Sequence, residues 1–265
     1  MRPKLVALDL DGTLLTSDKD ITARTERTVK TLMRQGVRVV LCTGRPPRLV
    51  RRYATQLGLT GPTVVYQGAS LYDFGRELPT HLYQLDRTVS LEVIRVMRNR
   101  FPDVLAGVEA TTGWYLDQKL FELRNGQRPD GVGDVETFVQ EGVIKLLFRH
   151  PSMIASTMSR ALAELPVYTT WTSDNLLEVL HPLANKSRAL ELLSKTLDVK
   201  QDEIAAFGDQ HNDAEMLSWV GFGVAMANAS EEAKAAADSL TSSNDDEGVA
   251  RFLERWITPE GAGVV

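Results

Sequence analysis

Cysteine is nearly absent: Cys42 is the single one in 265 residues. One thiol excludes an intramolecular disulfide and carries no sign of secretion. No apolar run approaches membrane-spanning length, and no signal-peptide pattern precedes the first apolar stretch, which begins by Leu5. No long basic block exists either, and the net charge is −5. That balance argues against a general nucleic-acid or anionic-membrane binder, while a local cationic pocket stays compatible with it. Internal repeats and low-complexity segments are also missing. What is left is an ordinary globular composition, 43% hydrophobic and 25% charged, predicted to be cytoplasmic. The length suits one large domain or two unequal ones.

The densest signal lies in the first dozen residues. Leu5 to Leu8 is an apolar run with no room for a turn, and it reads as a strand buried on both faces. Asp9 and Asp11 follow two residues apart, so a strand period of two would aim both carboxylates the same way. Gly12 then releases the chain into a turn. Two acids converging at the end of a buried strand repel each other unless a cation lies between them. Mg²⁺ suits such a place, because it takes a few hard oxygen ligands and keeps waters for a substrate phosphate. A Ca²⁺ loop of the EF-hand kind fails here, since Gly12 follows the second Asp directly.

Periodicity organises the rest. Thr16 to Asp20 reads as a tight hairpin. Helices are expected over Ile21–Gln35, stopped by Gly36, and over Arg48–Leu57, opened by Pro46-Pro47. Strands are expected at Val37–Cys42 and Thr63–Tyr66. Strand and helix thus alternate at spacings suited to parallel crossovers, the start of a doubly wound α/β domain. From Tyr83 to His181 the pattern changes. A helix at Val89–Phe101 precedes short strands at Trp114–Leu116, Val143–Phe148, Val167–Trp171 and Leu176–Leu180. A second helix is expected at Ser152–Leu165 and a loop at Asn125–Asp134. Closely spaced strands with few helices indicate a small inserted α+β module with an antiparallel sheet. Alternation then resumes through helices at Lys186–Leu197, Asn212–Trp219, Ser230–Ala237 and Asp246–Trp256, with strands at Glu203–Phe207 and Gly221–Ala225. The tail from Thr258 reads as loose.

Ligands of open parallel sheets bind outside the carboxyl ends of the strands. Asp9/Asp11, Thr43-Gly44, Lys186 and the run Gly208 to Asp213 all fall at such ends or just beyond. They offer a carboxylate nucleophile, a second acid, a cation site and donors for equatorial oxygens, the needs of phosphoryl transfer. Each also has a plainer reading. Thr43-Gly44 suits an ordinary strand-to-helix turn as well as an anion site. Lys186 suits a solvated side chain, although a cation opposes the dipole at a helix start. Asp209 follows an apolar strand and a glycine, much as Asp9 follows its strand. Asp213 suits a helix start. His211 is given no role. Trp114, Tyr115 and Trp171 suit packing of the inserted module or a substrate contact.

Taken together, Asp9-Leu10-Asp11-Gly12-Thr13-Leu14, Leu41-Cys42-Thr43-Gly44-Arg45, Lys186 and Gly208-Asp209-Gln210-His211-Asn212-Asp213 resemble the four motifs of the haloacid dehalogenase (HAD) superfamily. Their order, and the insertion between the second and third, resembles the Cof-type phosphatases, as do Gly223–Ala229 and Asn244–Ala250. The resemblance implies a Rossmann-like parallel-sheet core at 1–82 and 182–265, and an inserted α+β cap of the C2 type at 83–181 that closes over the site as a lid. It implies that Asp9 is the nucleophile that becomes an aspartyl phosphate. Asp11 would be the general acid and base, and its main-chain carbonyl a Mg²⁺ ligand. Asp9 and Asp209 would supply metal carboxylates, with Asp213 supporting the metal or orienting Lys186. Thr43, Gly44, Lys186, Asn212 and the Leu10 N–H would hold phosphoryl oxygens. The implied activity is Mg²⁺-dependent hydrolysis of small phosphorylated metabolites, sugar phosphates or phosphorylated cofactors, by a monomer or small homo-oligomer. A phosphomutase, a non-catalytic phospholigand module and a phospho-acceptor switch are the alternatives. Gln67-Gly68-Ala69 stands where many relatives have Asn-Gly-Ala, and Ser187 follows the lysine where glycine is common. Both departures bear on substrate fit and leave the chemical groups in place.

Overall fold

The computed structural model describes residues 2–117, 128–140 and 142–257. The chain divides into two compact units, Met1–His81 with Asn185–Val265, and the inserted Leu82–Ala184. No helix among the described residues is long and apolar enough to cross a membrane.

In the first unit, strand β1 (Leu5–Leu8) has no exposed surface at any of its four residues. Full burial of a leucine contributes about 1.5–3 kcal/mol, and the run has no polar side chain that would oppose it. The peptide from Thr16 to Asp20 closes as a turn with Lys19 in the left-handed region at φ 66°, not as a hairpin of strands. Helix α1 (Ala23–Arg34) starts where the Thr22 side chain accepts the Thr25 N–H. It buries Thr25, Thr28, Val29 and Leu32, spaced at helical intervals along one face. Strand β2 (Arg38–Leu41) leads to helix α2 (Pro47–Leu57), which opens at Pro46-Pro47 and ends at Gly58, φ 75°. Strand β3 (Pro62–Val65) follows, then β4 (Ser70–Asp73) and β5 (Leu78–Leu82), which extend it as a three-stranded sheet. The β4–β5 pair has no counterpart in the sequence reading, because Leu78–Leu82 is mostly exposed and shows no apolar alternation.

The inserted unit contains α3 (Arg87–Arg100), β6 (Leu105–Ala110), β7 (Gly113–Leu116), β8 (Gly131–Val132), α4 (Val135–Phe138), β9 (Val143–Arg149), α5 (Ala155–Arg160), β10 (Tyr168–Ser173) and β11 (Leu176–Leu180). Its six strands run in the order β10-β11-β9-β6-β7-β8, antiparallel except for the β7–β8 pair. Val93, Ile94 and Met97 of α3 and Met158 of α5 pack in one apolar cluster with Val108, Leu146, Phe148 and Val179 of the sheet. The helix expected over Ser152–Leu165 is shorter. Beyond α5 the chain continues in tight turns, with Leu165 N–H bonded to Leu162 O, ahead of Pro166, which disfavours helix before it. Within the expected loop at Asn125–Asp134, residues 125–127 lie outside the described residues, and Gly131–Val132 joins the sheet. The tail from Thr258 also lies outside them.

The first unit resumes with α6 (Lys186–Leu197), β12 (Ile204–Gly208), α7 (His211–Trp219), β13 (Phe222–Ala225), α8 (Glu231–Ala236), β14 (Ser239–Leu240) and α9 (Gly248–Leu253). Its parallel sheet is ordered β14-β13-β12-β1-β2, and a single parallel bridge, Cys42–Val64, continues it to β3. The strands therefore run outward in both directions from β1 and β12. Between those two the chain order reverses, and a crevice at the strands' carboxyl ends is the place where open α/β sheets hold ligands.

One close approach locks this end together. Gly68 adopts φ 96°, and a Cβ there would lie 2.1 Å from the Asn185 carbonyl oxygen, one residue before Lys186. Gly68→Ala is expected to destabilise the protein by about 2 kcal/mol or more. Thermal denaturation checks this, as a midpoint lowered by about 4–8 °C. An unchanged midpoint would contradict the close packing.

Candidate active site

β1 ends at Leu8, and Asp9 continues only far enough for its N–H to reach Phe207 O at 3.1 Å. The chain then turns back on itself: Leu14 N–H bonds Asp9 O and Leu15 N–H bonds Leu10 O, with Gly12 at φ 82°. The strand period therefore stops short of Asp11, and the two carboxylates have separate surroundings. Asp9 is buried, and its Oδ1 lies 2.6 Å from Lys186 Nζ. Asp11 is partly exposed and accepts from Nε and Nη2 along one edge of the Arg45 guanidinium, at 2.6 Å each, and from Lys19 Nζ at 2.9 Å. Burial would raise the Asp11 carboxyl, but the Arg45 and Lys19 contacts outweigh it and bring the pKa down to about 2.

Lys186 is the first residue of α6, whose N-cap Asn185 accepts the Arg188 N–H. The lysine is almost wholly buried, and its ammonium bridges Asp9 Oδ1 and Asp213 Oδ1, both at 2.6 Å. A cation at a helix start opposes the dipole by a few tenths to about 1 kcal/mol. Two charge-assisted bonds, each worth about 1.5–3 kcal/mol, outweigh that. Burial alone would lower the lysine's pKa, yet the Asp213 and Asp9 carboxylates hold it above its ordinary value. Asp213 is fixed from its other side, where Oδ2 accepts the N–H groups of Asp209 and Gln210 at 3.1 Å each.

Asp209 follows β12 and is pinned against the first loop. Thr13 Oγ1 donates to its Oδ1 at 2.9 Å, and a Cβ on Gly12 would stand 2.3 Å from its Oδ2. Only glycine permits that approach. Asp9, Asp209 and Asp213 each present a carboxylate oxygen within 4.8 Å of the others, and all three are buried. Burial, and then the charge of Asp213, push Asp209 up to about 6. Asp9 is likewise raised, first by burial and then by Asp213 and Asp209, against the pull of Lys186. One ammonium among three acids leaves negative charge that a divalent cation would offset, and hard carboxylate oxygens suit such an ion. This cluster could hold a metal. The Asp11 carboxylate is not among the three.

The remaining sequence candidates gather at the same strand ends. Thr43 follows β2 and is buried, and its Oγ1 accepts the Arg45 N–H at 3.1 Å. Gly44 is covered by Gln67, whose Nε2 lies 2.3 Å from where a Gly44 Cβ would be. Asn212, in the first turn of α7, donates from Nδ2 to Gln67 Oε1 at 2.9 Å. Leu10 is fully buried, within the turn that follows Asp9. Arg45, Thr13 and Gln67 also shape the site: in the sequence Arg45 and Thr13 carry no assigned role, and Gln67 stands only as a departure from the family pattern. Arg45 was discoverable from its place beside Thr43-Gly44. Gln67 was not, because its reach across to Asn212 follows from a left-handed turn that begins at Tyr66 and Gln67, ahead of Gly68. Cys42 is buried, which pushes its thiol up and leaves it unsuited to nucleophilic work.

The chain is similar to known proteins along nearly its whole length. The sequence profile described as haloacid dehalogenase-like hydrolase matches residues 6–253. The chain is 33% identical to the 5-amino-6-(5-phospho-D-ribitylamino)uracil phosphatase YitU of Bacillus subtilis, over 97% of this chain and 98% of that protein. It is 30% identical to a putative phosphatase of Haemophilus influenzae, over 96% and 98% of the two chains. The crystal structure of a haloacid dehalogenase-like hydrolase from Bacteroides thetaiotaomicron superposes with a TM-score of 0.79 at 26% identity, covering 96% of this chain and 99% of that one.

Two outcomes are expected from these contacts. Lys186→Met leaves Asp9 and Asp213 buried without their cation and should cost about 3–5 kcal/mol in chemical denaturation; a loss under about 1 kcal/mol would show that the bridge is not formed. Asp11 has a folded pKa below its ordinary 3.8, so its contribution to stability is present above that pH and fades as pH falls toward about 2. Stability of the native protein and Asp11→Asn, followed from pH 7 to 2.5, should converge at the acid end; parallel curves would contradict the ion pairs.

Proposed function

This chain belongs to the haloacid dehalogenase-like hydrolases and is a phosphatase, and on that footing we propose that it hydrolyses small phosphorylated metabolites through an aspartyl phosphate on Asp9. The observation that carries the reading is the Lys186 ammonium, bridged to Asp9 and Asp213 at 2.6 Å with Asp209 alongside. Lys186 engages Asp9 Oδ1, which assigns Oδ2 to attack on phosphorus. The same ammonium offsets the repulsion between an anionic nucleophile and an anionic ester. Thr43, Gly44, Asn212 and the Leu10 N–H are assigned to the phosphoryl oxygens, where fixed donors stabilise spread negative charge.

The Asp9 and Asp209 carboxylates would hold the cation, with the Asp11 main-chain carbonyl as a further ligand and Asp213 in support. Mg²⁺ is the ion we assign, and when bound it supplies charge neutralisation at the phosphoryl oxygens. Asp11 is assigned the proton transfers to the leaving oxygen and from water. With its carboxyl at about 2, it must first exchange its contacts with Arg45 and Lys19 before it carries a proton. We take 1–82 and 182–265 as the catalytic core of a cytoplasmic enzyme. Substrate choice is left to the inserted 83–181. Sugar phosphates and phosphorylated cofactors are the substrate class, and the likeness to YitU makes a phosphorylated ribitylamino-uracil the first compound to try.

The test is phosphate release from an aryl phosphate and from a panel of these esters. Asp9→Asn should abolish turnover, by at least about a thousandfold, while leaving the circular dichroism spectrum intact. Chelation should abolish native activity and added Mg²⁺ restore it. A near-normal rate in Asp9→Asn would remove Asp9 as nucleophile, and isomerised sugar phosphate without free phosphate would replace hydrolysis by a mutase reaction.

A further inference from the structure

Gln67 is a buried polar residue held in an unfavourable backbone conformation. Tyr66 and Gln67 both adopt positive φ, 51° and 56°, a region that costs a non-glycine residue about 1 kcal/mol or more. Two bonds stitch this turn onto the loop after β2: Tyr66 N–H to Arg45 O at 3.1 Å, and Gln67 N–H to Thr43 O at 3.0 Å. The result is a side chain only 1% exposed, lying against Gly44 and accepting a hydrogen bond from Asn212 Nδ2 at 2.9 Å. Asn212 is itself buried, and its Oδ1 has no hydrogen-bond partner among the described residues. The bond from Nδ2 to Gln67 Oε1 fixes the orientation of the amide. A primary amide nitrogen carries two N–H groups. One goes to Gln67, and the direction of the other is set by it.

We propose that Gln67 is a positioning residue for phosphate recognition: by accepting one N–H of Asn212 and packing on Gly44, it aims the second Asn212 N–H and the Gly44 backbone at one and the same phosphoryl group. The proposal rests on the phosphatase reading above and adds to it the residue that couples the loop after β2 to the start of α7. It also gives Gly44 a reason beyond its turn. A Cβ there would strike Gln67 Nε2 at 2.3 Å and Cδ at 2.7 Å and push the acceptor away from Asn212. Gln67 meets Gly44 and Asn212, both assigned to the phosphoryl oxygens, so its effect is expected on binding the phosphoryl group.

The experiment measures competitive inhibition by inorganic phosphate, in the presence of Mg²⁺, for the native protein, Gln67→Met, Gln67→Asn, Asn212→Ala and the double variant Gln67→Met with Asn212→Ala. Methionine keeps the length and volume and removes the acceptor. Asparagine tolerates the left-handed backbone but falls one methylene short, which keeps the test available if the methionine variant does not fold. Each single variant is expected to weaken phosphate inhibition by about tenfold or more. The double variant is expected to be no weaker than Asn212→Ala alone, because Gln67 acts through Asn212. The acid and alkaline limbs of the kcat profile should stay where they are. Native-like phosphate inhibition in Gln67→Met, or in Gln67→Asn where that is the folded variant, overturns the proposal, and so do additive losses in the double variant. A native protein that hydrolyses aryl phosphate through Asp9 while the Gln67 variants match it overturns this proposal alone. A native protein that neither turns over nor binds phosphate overturns the phosphatase reading and this one with it.

Discussion

A buried ammonium between two carboxylates is the constraint on which the rest of the site depends. Lys186 is 2% exposed, and it is faced at 2.6 Å by Asp9 from the end of β1 and by Asp213 from the first turn of α7. Moving one such charge out of water costs several kcal/mol, and only its partners make up the difference. None of the three can therefore be placed without the others. The same arrangement leaves the site negative overall, since Asp209 joins the group with no cation of its own among the described residues. Burial, and then the charge of Asp213, raise the Asp209 carboxyl to about 6. Hard carboxylate oxygens gathered in this way could hold a divalent ion.

The geometry follows from a simple feature of the fold. β1 and β12 are neighbours although nearly two hundred residues separate them, and the chain order reverses between them. Asp9 and Asp209 leave these adjacent strands at the same level, and Gly12 lets the first loop pass under Asp209 closely enough for Thr13 to bond it. α6 and α7 then deliver Lys186, Asn212 and Asp213 from their first turns. A helix start is a good place for an anion and a poor one for a lysine, and the lysine is tolerated there because its head group is fully engaged by acids.

Asp11 shows how position and chemical state can part company. It sits two residues from Asp9, yet its carboxylate belongs to Arg45 and Lys19 and is held strongly ionised. The alternation argument that paired it with Asp9 assumed that the strand continues, and the strand stops at Leu8. Gln67 is the converse case. In the sequence it looked like a neutral departure beside Gly68, and in space it ties Gly44 to Asn212.

Much of the molecule was nonetheless legible in the chain itself. Leu5 to Leu8 could only be a buried strand, the alternation after it could only build a parallel sheet, and the stretch around residues 83–181 had too few helices to continue that sheet. The acids after β1 and β12 and the lysine opening α6 stood out as candidates, because they fall at the ends of apolar runs, and the structure brings their side chains together. The short or exposed elements were not legible: β5 is largely in solvent, and β14 is two residues long, so neither leaves a hydrophobic period to read. Sequence by itself determined which chemical groups are present and which local elements carry them, since burial patterns and turn residues act over a few positions. Only the tertiary structure decided which cation faces which acid, that Asp11 is paired away from Asp9, and that Gln67 reaches Asn212, because those contacts join segments up to two hundred residues apart and depend on backbone directions that no local pattern encodes.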